Sequence, residues 1–240
     1  MFGVLTNKGQ VNYVSLDDFI SIDKMNYFET YFEKQFDKFC NDLPRIVERN
    51  EWAANEYSRG DINDSDRVYL FNSLMSTWYN DLNPRDYVWK LAKMYVPEFI
   101  EYLYDNVFDY MHGFLIKREL HKPMEFHRDW GSADGLDPTE EDSRGMQETW
   151  IWFRFSDTKK LYVSDIDGEH DVSKRIPMES YGAVFNGLDY HGCYDGSSGF
   201  SVRVNGGLKQ NIIDDTGIDV TTWKEWYPAT GFWLDEKLTL

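Results

Sequence analysis

The sequence is short of cysteine, of positive charge and of long apolar runs. Its two cysteines, Cys40 and Cys193, lie far apart and show no metal-site spacing. That argues against a disulfide framework and a thiolate zinc site, and both are read as free thiols in a reducing compartment. No stretch approaches the roughly 20 consecutive apolar residues that a membrane helix requires. The start, Met1-Phe2-Gly3-Val4-Leu5-Thr6-Asn7-Lys8, has no basic region leading into an apolar run. The expectation is a soluble, cytoplasmic protein with no membrane partner. Lys and Arg number 25 against 42 Asp and Glu, a net charge of −17. A field of that sign repels phosphate backbones, and no local basic groove is visible, so no nucleic acid is expected as a partner. Internal repeats and low-complexity tracts are also missing.

Aromatic residues are plentiful: 9 Trp, 16 Tyr and 16 Phe, within a hydrophobic fraction of 42%. That is enough for a sizeable core, and 240 residues are treated as one domain. Residues 1–14 read as a short strand or hairpin around the turn Asn7-Lys8-Gly9. From about Asp23 to Leu43 the period is helical. Phe28, Phe32, Phe36 and Phe39 form one stripe, which predicts a core-facing helix. Pro44 is expected to end that helix or open the next, around Arg45–Tyr57. A polar loop at 60–66 precedes a predicted helix around Asp66–Tyr79. Asn83-Pro84 suits a helix start, and Pro97 disfavours helix at Val96, so two helices are expected over 84–95 and 97–107.

Near Phe108 the texture changes to short strands: 110–118, 124–127, 149–155, 161–165, 182–185 and 200–204, separated by Asp-rich or Gly-rich turns. Many short strands of this kind indicate an antiparallel sandwich or jelly roll. The fold class is α+β. Residues 1–107 are mainly helical support, 108–210 the catalytic core and 211–240 a C-terminal cover. The run Trp223-Lys224-Glu225-Trp226-Tyr227 is core padding or a cover over a pocket.

Within the core lies His127-Arg128-Asp129. On a strand, alternate side chains share a face, so His127 and Asp129 point the same way and can grip one metal ion. Taken alone the triplet is a weak signal. His191 follows a short strand at 183–185 and a turn. In Ser201-Val202-Arg203-Val204-Asn205, alternation puts Ser201, Arg203 and Asn205 on one face. An inward arginine needs an anionic partner, and a carboxylate suits its planar fork.

His-x-Asp, a distal His and an Arg about ten residues later resemble the pattern of the Fe(II)- and 2-oxoglutarate-dependent dioxygenase superfamily. The run Gly182-Ala183-Val184-Phe185-Asn186 leading to His191 is similar to a segment of that family. More loosely, 149–155 together with 181–207 resembles its aspartyl/asparaginyl β-hydroxylase and free-proline hydroxylase branch. The resemblance implies a double-stranded β-helix (jelly roll, cupin-like) with a helical N-terminal layer. It also implies Fe(II) held by His127, Asp129 and His191, with 2-oxoglutarate and dioxygen (O2) as co-substrates. Arg203 would hold the distal carboxylate. The expected reaction is hydroxylation of an unactivated C–H of a small molecule, such as a free amino acid or derivative, with release of succinate and CO2. Where the family often has a Ser or Thr that helps bind 2-oxoglutarate two residues after its arginine, this chain has Asn205, which can donate a hydrogen bond to the co-substrate but changes that geometry. Asp129 favours hydroxylation over halogenation, for which relatives carry a small residue there.

Arg154 shares a face with Trp150 and Trp152 by alternation. Its two readings are a carboxylate or co-substrate contact and a structural salt bridge. The acidic loop 134–142 is read as a solvated flap, with attraction of a cationic substrate as the functional alternative. The run 165–171 has the wrong spacing for a calcium loop. Two rival readings use the same three residues: a Zn hydrolase and a metal-binding jelly roll without turnover.

Overall fold

The computed structural model describes residues 3–49, 67–70, 92–119, 126–127, 149–164, 171–193 and 197–222. Asp129, His121, His170, the loop 60–66, the helix start at 83–84, the acidic loop 134–142 and the aromatic run 223–233 lie outside the described residues.

The phenyl stripe forms the spine of α1 (Ile22–Arg49). Phe28, Phe32, Phe36 and Phe39 are all buried. Phe32 stands edge-on to Phe99 at 5.0 Å and to Phe155 at 4.8 Å, and lies 5.6 Å from Phe200. Each buried ring contributes about 1.5–3 kcal/mol relative to exposure. The helix continues through Pro44 to Arg49, against the expectation that it would end or restart there. A proline removes one amide donor and crowds the carbonyl four residues earlier, at a cost of about 3 kcal/mol. The packed stripe outweighs that loss, which falls near the C-terminal end. The break at Val96 occurs as expected: Ala92–Tyr95 is helical, and α2 (Pro97–Asn106) starts afresh with Pro97 in its first turn. Among the described residues, no helix is long and apolar enough to cross a membrane.

Among the described residues there are eleven strands: β1 (Val4–Thr6), β2 (Gly9–Val11), β3 (Tyr13–Ser15), β4 (Arg67–Leu70), β5 (Phe108–Glu119), β6 (Thr149–Arg154), β7 (Leu161–Ser164), β8 (Ile176–Met178), β9 (Gly182–Asn186), β10 (Tyr190–Gly192) and β11 (Gly199–Leu208). The main sheet has the order β3-β9-β6-β11-β5-β4, and a second sheet has the order β10-β7-β8. Every strand pair is antiparallel. Residues 67–70, expected to begin a helix, instead form the edge strand β4, pairing Val68 with Arg118 and Leu70 with Ile116. Its inward-facing backbone groups pair with β5, a partner no local pattern reveals. Strands from the N-terminal portion thus occupy both edges of the main sheet. A short helix, α3 (Gln210–Thr216), follows β11.

The period of two divides the main sheet into two faces. Ile151, Phe153, Val184, Val202 and Val204 join the core built with α1 and α2. Trp152, Ala183 and Phe185 point the other way and meet Leu161, Val163 and Met178 of the second sheet. The candidate site lies in this inter-sheet layer.

One carboxyl ties α1 to the main sheet. Glu29 accepts the backbone amide of Phe200. At Gly199 (φ +103°) a Cβ would stand 2.8 Å from Glu29 Oε1, so only glycine suits this approach. Burial pushes the Glu29 carboxyl up to about 7, against the lowering pull of the Phe200 amide and Lys159. A carboxyl with a raised folded-state pKa binds its proton more tightly folded than unfolded, so its contribution to stability is full below about 4.5 and lost as pH rises through about 7. Glu29→Gln, which keeps the neutral form, should therefore exceed the wild type in urea midpoint at pH 8, with the difference vanishing towards pH 5. Equal midpoints at pH 8 would contradict this.

Candidate metal centre

β9 leads into a tight turn and then β10. The Asn186 side-chain carbonyl accepts the Leu188 amide at 3.1 Å, and its backbone carbonyl accepts the Asp189 amide at 3.0 Å. This turn delivers His191 onto β10, opposite Val163, with only 1% of its surface exposed. His127 lies 191 − 127 = 64 positions earlier and meets His191 in an antiparallel bridge. Each backbone amide donates to the other residue's carbonyl at 3.0 Å. The ring centroids are 4.6 Å apart at an interplanar angle of 52°. Phe185 packs on the His191 ring at 5.0 Å. Beside His127, the Arg175 guanidinium stacks over Phe126 at 3.8 Å, which fixes the short segment carrying the histidine.

His191 Nδ1 lies 2.9 Å from the Asp189 carbonyl oxygen. A carbonyl only accepts, so Nδ1 carries the proton and the lone pair of the neutral ring is on Nε2. A metal-binding histidine is held in the same way, by an outer-shell acceptor on its second nitrogen. Two neighbouring imidazoles are ligands of the kind that suit a divalent first-row metal. Among the described residues, no group of three His, Cys, Asp or Glu side chains is placed to hold an ion.

Arg203 sits on β11 with Leu115 and Trp152 as its cross-strand neighbours. Directly opposed residues share a face, so Arg203 lies on the inner face with Trp152, while Val202 and Val204 are buried on the other, as the alternation predicts. Asn205 pairs with Gly113 immediately before a bulge in β11; its side chain lies outside the described part of the structure. Arg154 is buried, and its guanidinium is taken up by the backbone. Its Nε donates to the Ser180 carbonyl at 3.1 Å and Nη1 to that of Lys159 at 3.4 Å, while Nη2 donates to that of Glu179. Asp157 is 3.6 Å away, and the Tyr181 ring lies beneath at 4.7 Å. Of the two readings of Arg154, these bonds support the structural one.

Sequence reasoning missed a buried ionic trio beside this row. Lys117 Nζ is 2.6 Å from Glu119 Oε1, and Lys159 Nζ bonds Oε2. All three side chains are buried. Lys117 faces Ser201 across the sheet, two positions from the Leu115–Arg203 pair, so the trio shares the inner face with Arg203. Burial raises the Glu119 carboxyl, but the two ammonium groups more than reverse it and leave its pKa low. Burial, then the charge of Lys117, lowers the pKa of Lys159. The signal for Lys117 and Glu119 was present, since opposite charges two apart on a strand share a face. Lys159 stands in a polar turn and gives none.

No family model, no curated protein and no solved structure matches this chain.

Proposed function

We propose that the protein is a non-haem Fe(II)- and 2-oxoglutarate-dependent dioxygenase, hydroxylating a C–H of a small molecule such as a free amino acid or derivative. The ligands would be His127, Asp129 and His191, and Arg203 would hold the distal carboxylate of 2-oxoglutarate. The single observation behind this is the pairing of two imidazoles 64 positions apart (191 − 127), with rings 4.6 Å between centroids. Strand order supports the jelly-roll form of the fold. From β5 onward, successive strands alternate between the sheets: β5, the segment at 127, β6, β7 with β8, β9, β10 and β11. Bridging by His127 extends the second sheet to His127-β10-β7-β8, opposite β9-β6-β11-β5. Interleaving of this kind is what a double-sheet jelly roll requires.

When bound, Fe(II) supplies the activation of dioxygen. The chain's own tasks are to ligate, to orient and to keep water out. The Asp189 carbonyl fixes which nitrogen of His191 is offered. Arg203 orients the dicarboxylate through charge-assisted bonds. Trp152, Val163 and Phe185 give the layer its apolar lining. A Zn hydrolase could use the same imidazoles, but an inward arginine on β11 favours a carboxylate-bearing co-substrate.

Anaerobic addition of Fe(II) and 2-oxoglutarate should give a weak visible charge-transfer band, absent in His127→Ala. Intact, metal-loaded protein without the band would remove the dioxygenase reading.

A further inference from the structure

The turn that orients His191 is held from outside by the other end of the chain. The Gly3 amide donates to Asp189 Oδ2 at 2.7 Å, and Asn186 Nδ2 donates to the Gly3 carbonyl at 2.9 Å. Asn186 and Asp189 are each 1% exposed. Asn186 also organises the turn through Leu188 and Asp189, and Asp189 in turn accepts from His191 Nδ1. Hydrogen bonds thus tie the backbone of residue 3 to the side chains of the turn, and the backbone of the same turn to the imidazole. Gly3 has φ +60°, and a Cβ there would stand 2.7 Å from the Val11 carbonyl. No other residue type fits this position without strain. Val4, the next residue, is fully buried against the helical core.

We propose that Asn186 and Asp189 are positioning residues that make the docking of segment 3–6 a condition for His191 to bind metal. This rests on the reading of His191 as a metal ligand. The side chains of Asn186 and Asp189 grip both polar groups of one glycine, and the carbonyl of Asp189 sets the histidine. If the clasp opens, the Asp189 carbonyl loses its fixed place. Nδ1 is then no longer the preferred proton site, and part of the population carries its lone pair on the wrong nitrogen. Outer-shell partners of this kind are worth about 10–100-fold in metal affinity. Linkage makes the effect reciprocal: metal on His191 tightens the N-terminal segment.

Two variants open the clasp without touching a ligand. Asn186→Asp removes the donor to Gly3 yet keeps an acceptor for the Leu188 amide. Gly3→Ala acts from the opposite side. In the metal-free wild type, ¹⁵N imidazole NMR should show His191 as the Nδ1–H tautomer alone, and in both variants as a mixture. Co(II) affinity should fall about 10–100-fold in the variants. Amide exchange at residues 4–6 of the wild type should slow on Co(II) addition, and should not in His191→Ala. This last measurement stands even if neither variant folds. An unchanged tautomer and unchanged affinity in folded variants, or exchange at 4–6 indifferent to bound Co(II), would overturn the proposal. Failure of the wild type to bind Co(II) would instead sink the metal-centre reading, and the tautomer measurement alone would then decide the clasp.

Discussion

Glu119→Gln should be among the most destabilising single substitutions in this protein, costing about 3–5 kcal/mol. The carboxylate serves two ammonium groups, Lys117 and Lys159, in a layer closed to water. An amide of the same shape leaves both cations without their counter-charge, and stranded buried charge is the costly case. The pH dependence follows from the signs. The Glu119 pKa is depressed on folding, so its contribution is present above the unfolded value near 4.5 and lost as pH falls through the folded one. The Lys159 pKa is lowered from 10.5, so alkaline conditions relieve its buried charge in the folded state. The deficit of Glu119→Gln, read from urea midpoints, should therefore be largest near neutrality and shrink towards pH 10. Replacing the trio together by Met, Leu and Met should restore most of the loss, because a well-packed apolar set removes the desolvation cost along with the attraction. A Glu119→Gln protein as stable as wild type at pH 7 would mean the trio is solvated.

On the proposed function, Arg203→Leu should leave metal binding intact and weaken 2-oxoglutarate by a factor of about 10²–10³, since removing one partner of a close charge pair costs roughly 2–5 kcal/mol. The measurement is a titration of 2-oxoglutarate into the Fe(II)-loaded protein, followed by the charge-transfer band. Arg203→Lys should recover only part of the loss, because a point charge does not reproduce the two parallel bonds of a guanidinium. Unaltered 2-oxoglutarate affinity in Arg203→Leu would overturn the assignment of Arg203 as the carboxylate clamp.

Local pattern sufficed where one residue's environment repeats along an element. The phenyl stripe at steps of four, four and three gave α1 its buried face, and the alternation around Arg203 put it on the correct side of β11. Nothing local links His127 with His191, and their pairing appears only in the folded chain. Where bonds run between distant segments, pattern failed. Residues 67–70 carry too few positions to separate the two periods, and their partner on β5 decides the matter. Arg154 was placed on the right face, but its acceptors are the carbonyls of Ser180 and Glu179, some 25 positions away. The clasp at Gly3 was invisible because its acceptor lies 186 positions along the chain.

The place of β11 at the centre of the main sheet has a bearing on how the protein is made. Among the described strands, β6 and β5 are joined through β11, which is the last of them along the chain. Until residue 208 has left the ribosome, β3-β9-β6 and β5-β4 are two separate half-sheets with open inner edges. At about 5–20 residues per second, the 89 residues from the end of β5 to the end of β11 (208 − 119) leave the β5 edge open for about 4–18 seconds, and the 22 residues from the end of β9 (208 − 186) leave the β6 edge of the other half open for about 1–4 seconds. Such edges are templates for wrong pairing, so this chain should lean on chaperones while it is being translated, and a ribosome stalled before β11 should hold an aggregation-prone product.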